Sequence, residues 1–334
     1  MLALFFIVFV LLGVGYGFYW WRWPVLNPKV GEGLEKIAYL SKYDFDSLRQ
    51  RGGVVSKIKI EGDLPGVELR RKEKPINFKS ERFSFESEGK KITGMINIPM
   101  TVRSNKMAAI IMIRGYADKE GYYTGSGTWR VADELAKAGF VAVSIDFLGF
   151  GGSDGESFDM LEARFEKVPA VMDLLASVQA LDFVDENRVG IWAHSNGGQI
   201  ALSVLEILGG KMPTVLWAPM TNPFPKSVLD TADDLDDGGK LVKETIEEFE
   251  KRYDSRRYGF ENYYDWMEAP ILINQGTGDY WCQMDWQTEV VSELLKRGKQ
   301  ASLRVWPGDD HNLSRNWEEA VVEDTAFFRR HFAI

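Results

Sequence analysis

Val189-Gly190-Ile191-Trp192-Ala193-His194-Ser195-Asn196-Gly197-Gly198-Gln199 is the stretch on which the fold turns. A short apolar run that reads as a buried strand leads straight into a serine, and then into small residues that open a helix. For the Ser195 hydroxyl to stand above the strand end, the chain must bend sharply, and bulky neighbours would collide with the opposing backbone. Gly197 and Gly198 meet that need, and Ala193 is the smallest departure from glycine on the other side. An ordinary strand-to-helix turn would also fit these residues alone, so the surroundings must decide.

Working outward, short apolar runs at 107–113, 140–146, 188–193, 214–218, 271–275 and 302–306 alternate with longer helical patterns. That alternation predicts an α/β fold, a mostly parallel sheet with helices on both faces. One helix sets Val131, Leu135 and Ala138 on a single face and stops at Gly139; the last shows Trp317, Val321, Phe328 and Phe332. Before the first parallel strand, residues 81–99 read as two alternating segments around Glu88-Gly89-Lys90, an antiparallel N-terminal hairpin. The rhythm fails at 221–268, an insertion with seven basic and thirteen acidic side chains. Leu241, Val242, Ile246, Phe249 and Tyr253 share one helical face there, which predicts a folded helical cap. Trp217, Phe224, Phe249, Tyr253, Tyr258, Tyr263, Tyr264 and Trp266 lie in or beside it and predict a hydrophobic acyl pocket, or equally the core of the cap. Its acidity predicts weak use of strongly anionic substrates.

Length and composition agree with one large domain, 80–334, plus an extension: 334 residues, 45% hydrophobic, 13% aromatic and 27% charged. With 40 basic and 49 acidic side chains the net charge is −9, which argues against a nucleic acid as partner. Cys282 is the one cysteine, so there is neither an intrachain disulfide nor a Cys-rich metal site, and no cofactor or metal is expected.

Residues 1–21, MLALFFIVFVLLGVGYGFYWW, carry no charged side chain. As a helix they would cover roughly 30 Å, the thickness of a bilayer's hydrocarbon core. Trp20, Trp21 and Trp23 with Arg22, then Pro24, read as an interfacial belt and a helix stop, so residues 1–23 are predicted to be a single-pass transmembrane anchor with the lipid bilayer as partner. A cleaved signal peptide is the rival, through the small-x-small triplet Gly13-Val14-Gly15, although no Lys or Arg precedes the run. Arg22, Lys29, Lys36 and Lys42 all follow it, which favours the cytoplasmic face for the main domain. Residues 24–79 read as a spacer with short strands.

The stretch around Ser195 resembles the G-x-S-x-G nucleophile elbow of α/β-hydrolases, with Ala193 in the first glycine position. Serine is a weak nucleophile until a base takes its proton, and the base needs an acid to hold its tautomer; the resemblance implies the chain order Ser, acid, His. Of the three histidines, His194 shares the tight turn with Ser195 and His331 sits three residues from the C-terminus, which leaves His311, in the loop 307–313 after the strand 302–306. Asp279 follows the apolar run 271–275 and is the preferred acid over Asp285, Asp309 and Asp310. For the oxyanion, Asn196 supplies one backbone N–H and Tyr116, in Ile113-Arg114-Gly115-Tyr116-Ala117, the second. Arg114 stands where the family usually shows histidine. Cys282 lacks an elbow of its own and reads as a passive thiol.

Together with Asp146-Phe147-Leu148-Gly149-Phe150-Gly151-Gly152-Ser153, whose role in the family is structural, these motifs resemble the α/β-hydrolase superfamily. Within it the nearest likeness is to the prolyl-oligopeptidase catalytic domain and the dienelactone-hydrolase-like esterases, over roughly residues 81–334. The resemblance implies a serine hydrolase acting on a small acyl ester or a short peptide, without cofactor. Oligopeptidases of that kind carry a large β-propeller ahead of the catalytic domain, and only about eighty residues precede it here, so a carboxylesterase is expected over a peptidase. The contrasting class is a membrane-tethered binding or scaffold protein that has kept the fold and lost turnover.

Overall fold

The computed structural model describes residues 39–334 apart from 63, 65–66, 68–69, 72–76, 101–105, 231 and 233–236. The expected anchor, 1–23, lies outside the described residues. Among those described, no helix is long and apolar enough to cross a membrane.

Nine described strands form one mixed sheet: β1 (Lys59–Gly62), β2 (Phe78–Ser87), β3 (Lys90–Pro99), β4 (Met107–Ile113), β5 (Val141–Ile145), β6 (Val184–His194), β7 (Thr214–Trp217), β8 (Ile271–Gly276) and β9 (Ala301–Trp306). Their order is β1-β2-β3-β5-β4-β6-β7-β8-β9. From β5 through β9 every neighbouring pair is parallel, whereas β1, β2 and β3 join antiparallel to one another and β3 to β5. The fold is therefore α/β, with the antiparallel start that the alternation implies. In the hairpin, Ser87 faces Lys90 across a two-residue turn whose Glu88 and Gly89 have φ of 52° and 73°. A turn left-handed at both positions matches the right-handed twist of its strands.

Helices cover both faces, which is why the parallel strands read as unbroken apolar runs rather than alternating ones. Helices Lys167–Gln179 and Asn196–Leu208 seal one side around Met172, Leu174, Val204 and Leu205. Helices Trp129–Lys137 and Trp317–Phe332 seal the other around Val131, Leu135, Phe140 and Phe328. Asp324, on the last helix and fully buried, accepts the indole N–H groups of Trp192 at 3.1 Å and Trp217 at 2.7 Å and the Asn274 amide at 3.0 Å. Burial pushes the pKa of this carboxyl up, against the three N–H groups that favour its anion.

The insertion is folded, with helix Lys240–Glu250 burying Val242, Ile246 and Phe249. Its rings serve chiefly as the core of the cap, one of the two roles the sequence allows, and Phe224 and Tyr258 also line a small cavity. Phe224, Phe249 and Tyr258 stack with Phe165 at centroid separations of 5.1, 5.9 and 5.0 Å, so they form the core of the cap. Trp217 faces the opposite side of the sheet, in the cluster with Trp192.

Part of the segment expected to be a spacer is packed into the domain. Leu40 and Tyr43 join the cap core, and helix Phe45–Arg51 follows with Asp44 as N-cap, accepting the Ser47 N–H at 2.7 Å. Arg51 grips Asp173 with two bonds of 2.8 and 2.7 Å. Such a fork orients as well as attracts, and it fixes the helix to the main body.

Candidate active site

Strand β6 ends at His194, and Ser195 follows with φ 54° and ψ −125°, a conformation an L-residue adopts at a cost of roughly 1–3 kcal/mol. The neighbouring backbone enforces it: the Ser195 N–H donates to Trp217 O at 3.0 Å, and its carbonyl accepts from Gly198 and Met220 at 2.9 and 2.8 Å. A Cβ on Gly197 would lie 2.5 Å from the Ile113 carbonyl oxygen and 2.6 Å from that of Arg114, and one on Gly198 would run into Pro219. The small residues after the serine are thus demanded by sterics.

Two later loops meet at the same edge of the sheet. The Gly278 N–H donates to Asp309 O at 2.8 Å and the Gly308 N–H to Thr277 Oγ1 at 2.7 Å, tying the loop after β8 to the loop after β9. Across that seam His311 Nδ1 lies 2.9 Å from Asp279 Oδ2. The Asp279 carboxyl is withdrawn from solvent and also accepts from Gln275 Nε2 at 2.9 Å and from the Trp281 and Cys282 N–H groups at 2.8 and 3.0 Å. Burial alone would raise its pKa; the bonds from His311, Cys282 and Gln275 outweigh that and hold it below the usual carboxylate value. The rival acids are occupied elsewhere. Asp309 accepts backbone N–H groups of Asp310, Arg315 and Asn316, Asp310 those of Asn312 and Ser314, and Asp285 is exposed in the first turn of helix Met284–Lys296.

Ser195 and His311 are not joined by a hydrogen bond. The Ser195 hydroxyl lies beside the Cys282 thiol. Ligand atoms of Cys282, His311 and Asp279 lie within 4.8 Å of one another, so the thiol is gathered with the imidazole–carboxylate pair. Sequence reading missed this placement, whose one local signal is that the Cys282 N–H closes the turn begun at Asp279. Burial first, and the Asp279 charge second, raise the thiol pKa, so Cys282 stays protonated and a poor nucleophile. Although Asp279, Cys282 and His311 could in principle gather around a cation, both Asp279 oxygens are committed to N–H donors.

His194, on the same tight turn as Ser195, turns its ring toward the loop that carries His311. Its Nε2 lies 3.0 Å from the His311 carbonyl and the two rings are 4.7 Å apart, so it braces the backbone that carries His311. His331 sits exposed on the last helix against Phe327.

The loop after β4 passes against the serine: a Cβ on Gly115 would sit 2.7 Å from Ser195 Cβ and 3.3 Å from its Oγ. The backbone N–H groups of Tyr116 and Asn196 have no hydrogen-bond acceptor among the described residues. Arg114, buried behind this loop, donates to Gly115 O at 2.8 Å and to Asp146 O at 3.1 Å, with its guanidinium 4.1 Å from the Phe150 ring centroid. Asp146 in turn accepts from Thr93, Tyr122 and Thr124 at 2.7, 2.8 and 2.8 Å, a structural knot that holds the glycine-rich turn.

The sequence pattern of the prolyl oligopeptidase family matches residues 128–334. Acetyl xylan esterase 1 from a Thermoanaerobacterium species superposes with a TM-score of 0.61 at 18% identity, covering 89% of this chain and 99% of the esterase. An acylaminoacyl peptidase of Pyrococcus horikoshii gives 0.58 at 18% identity, over 81% of this chain and 44% of the peptidase. At these identities the likeness carries the fold alone. An Escherichia coli protein described as an uncharacterized 31.7 kDa protein in the traX-finO intergenic region is 30% identical over 67 residues, 20% of this chain and 23% of that protein.

Proposed function

Since the chain belongs to the prolyl oligopeptidase family and is a serine hydrolase of the α/β-hydrolase fold, we propose that it cleaves carboxylic esters through an acyl-enzyme on Ser195. His311 takes the hydroxyl proton as general base, and Asp279 holds the Nδ1–H tautomer and the imidazolium that follows. The backbone N–H groups of Asn196 and Tyr116 receive the oxyanion. His311 then returns the proton to the departing alcohol, and water repeats the sequence to free the acid.

The observation that carries this reading is the 2.9 Å contact of His311 Nδ1 with the buried Asp279 carboxyl at the strand edge that presents Ser195. Hydrogen bonds between a nucleophile and its base often form or tighten only when substrate is bound. Family membership favours peptides as a second reading. The cavity beside Asn196, about 40 Å³, supports a short acyl group over a peptide residue. A fluorophosphonate probe should label the wild type and not Ser195→Ala, and short p-nitrophenyl esters should turn over faster than fluorogenic peptides. Labelling that persists in Ser195→Ala would remove the reading.

A bilayer tether through residues 1–23 is supported by the uncharged run and its tryptophans. The full chain should partition with membranes and a chain starting at residue 39 should not; equal partitioning would dismiss the tether.

A further inference from the structure

Beside the elbow lies a cavity of about 40 Å³, room for roughly three water-sized groups. Asn196, which follows Ser195 in the chain, and Gln199 line it together with Arg164 and Lys167, and Phe224 and Tyr258 help to close it. No carboxylate is among its described lining residues. The acidity of the insertion therefore stops short of this chamber, although it led to the expectation of poor anionic substrates.

Two half-buried cations beside each other are costly unless acids pair with them. Here none does. Arg164 Nη2 donates to neutral oxygens, Gln199 Oε1 and, at 2.9 Å, Ser227 Oγ. Among the described residues the Lys167 ammonium has neither an ion pair nor a hydrogen bond. The acids that reach it electrostatically, Glu156 and Glu166, are already bonded to Lys119 at 2.5 Å and Lys90 at 3.0 Å. Burial, with the Arg164 charge next, pulls Lys167 down to about 8, and burial pulls Arg164 down to about 10. At neutral pH both remain charged, and the chamber holds positive charge without a counter-ion.

We propose that this cavity is a subsite for a carboxylate carried by the substrate a few bonds from the scissile carbonyl, with Lys167 and Arg164 as its charge partners. The preferred substrates would then be monoesters of short dicarboxylic acids. The proposal rests on Ser195 being the nucleophile, because its chain neighbour Asn196 lines the cavity. Charge-assisted hydrogen bonds to a desolvated anion would favour such an ester by about tenfold or more in kcat/KM over a neutral analogue of equal size.

The test compares monoethyl glutarate and monoethyl succinate with their neutral primary-amide analogues. The wild type should prefer the acids by at least about tenfold; Lys167→Met should bring the ratio toward one, and Lys167→Arg should keep most of it. A wild-type ratio at or below one, or a high ratio unchanged in Lys167→Met, overturns the subsite. Binding is read separately on Ser195→Ala protein, where glutarate should raise Tm by several degrees at saturating concentration and its diamide should not. If no ester is hydrolysed, the function reading falls while this shift still decides the cavity: a shift upholds the anion site, and its absence sinks it.

Discussion

His194 reaches across the elbow to the main-chain carbonyl of His311, with Nε2 and oxygen 3.0 Å apart. A carbonyl only accepts, so Nε2 carries the hydrogen. Burial first, then the proximity of His311, lowers its pKa from 6.5 to about 4. The unfolded chain is thus the better proton binder between those values, and stability rises with pH across that window. What His194 contributes by staying neutral is complete above about 6.5 and is lost as the pH falls toward 4. Thermal melts between pH 7 and pH 4 should show Tm falling, and His194→Gln should flatten the slope. An unchanged slope would mean that other groups dominate acid sensitivity.

Asp279 and Asp309 separate by role. Asp279→Asn leaves His311 without its anionic partner and should lower kcat by about 10⁴, with little change in KM. Asp309→Asn weakens the buried acceptor that gathers the backbone from Asp310 to Asn316, a loss of about 1–3 kcal/mol in stability, while activity per folded molecule falls far less. Chemical denaturation alongside initial rates distinguishes the two, and similar kinetic losses would reopen the choice of acid.

Arg114 acts on the oxyanion loop from behind. Arg114→Met should free the Gly115 carbonyl and let the Tyr116 N–H drift, lowering kcat by about 10- to 100-fold with KM nearly constant. Steady-state kinetics on one neutral ester checks it; a loss confined to KM would place Arg114 in substrate binding instead.

Cys282, fully buried and protonated, should resist iodoacetamide in the native protein. Cys282→Ala removes the thiol beside Ser195 without touching the Asp279–His311 contact, so fluorophosphonate labelling should persist and its rate should change by no more than a few-fold. Loss of labelling would show that the thiol is needed to set the serine.

The strands were legible because burial on both faces writes itself into contiguous apolar runs such as Met107–Ile113. The turn at Ser195 was legible because backbone crowding leaves only glycine at positions 197 and 198. Less could be read where distant segments meet. Phe224, Phe249 and Tyr258 carry no mark that separates a cap core from a pocket wall, since both need rings. Arg164 and Lys167 read as solvated helical charges until Phe224 and Tyr258, some sixty to ninety residues on, close over them. Cys282 entered the site through the geometry of the turn at Asp279, and helix Phe45–Arg51 hides within a segment of mixed polarity.

Asp324 gives the C-terminal helix a reach beyond its own hydrophobic seam. By clasping two indoles and an amide it couples the strands that deliver Ser195 and Asp279 to the last turns of the polypeptide. Shearing off that tail would strand three polar hydrogens in a dry interior and unmoor at once the two strand ends that carry Ser195 and Asp279.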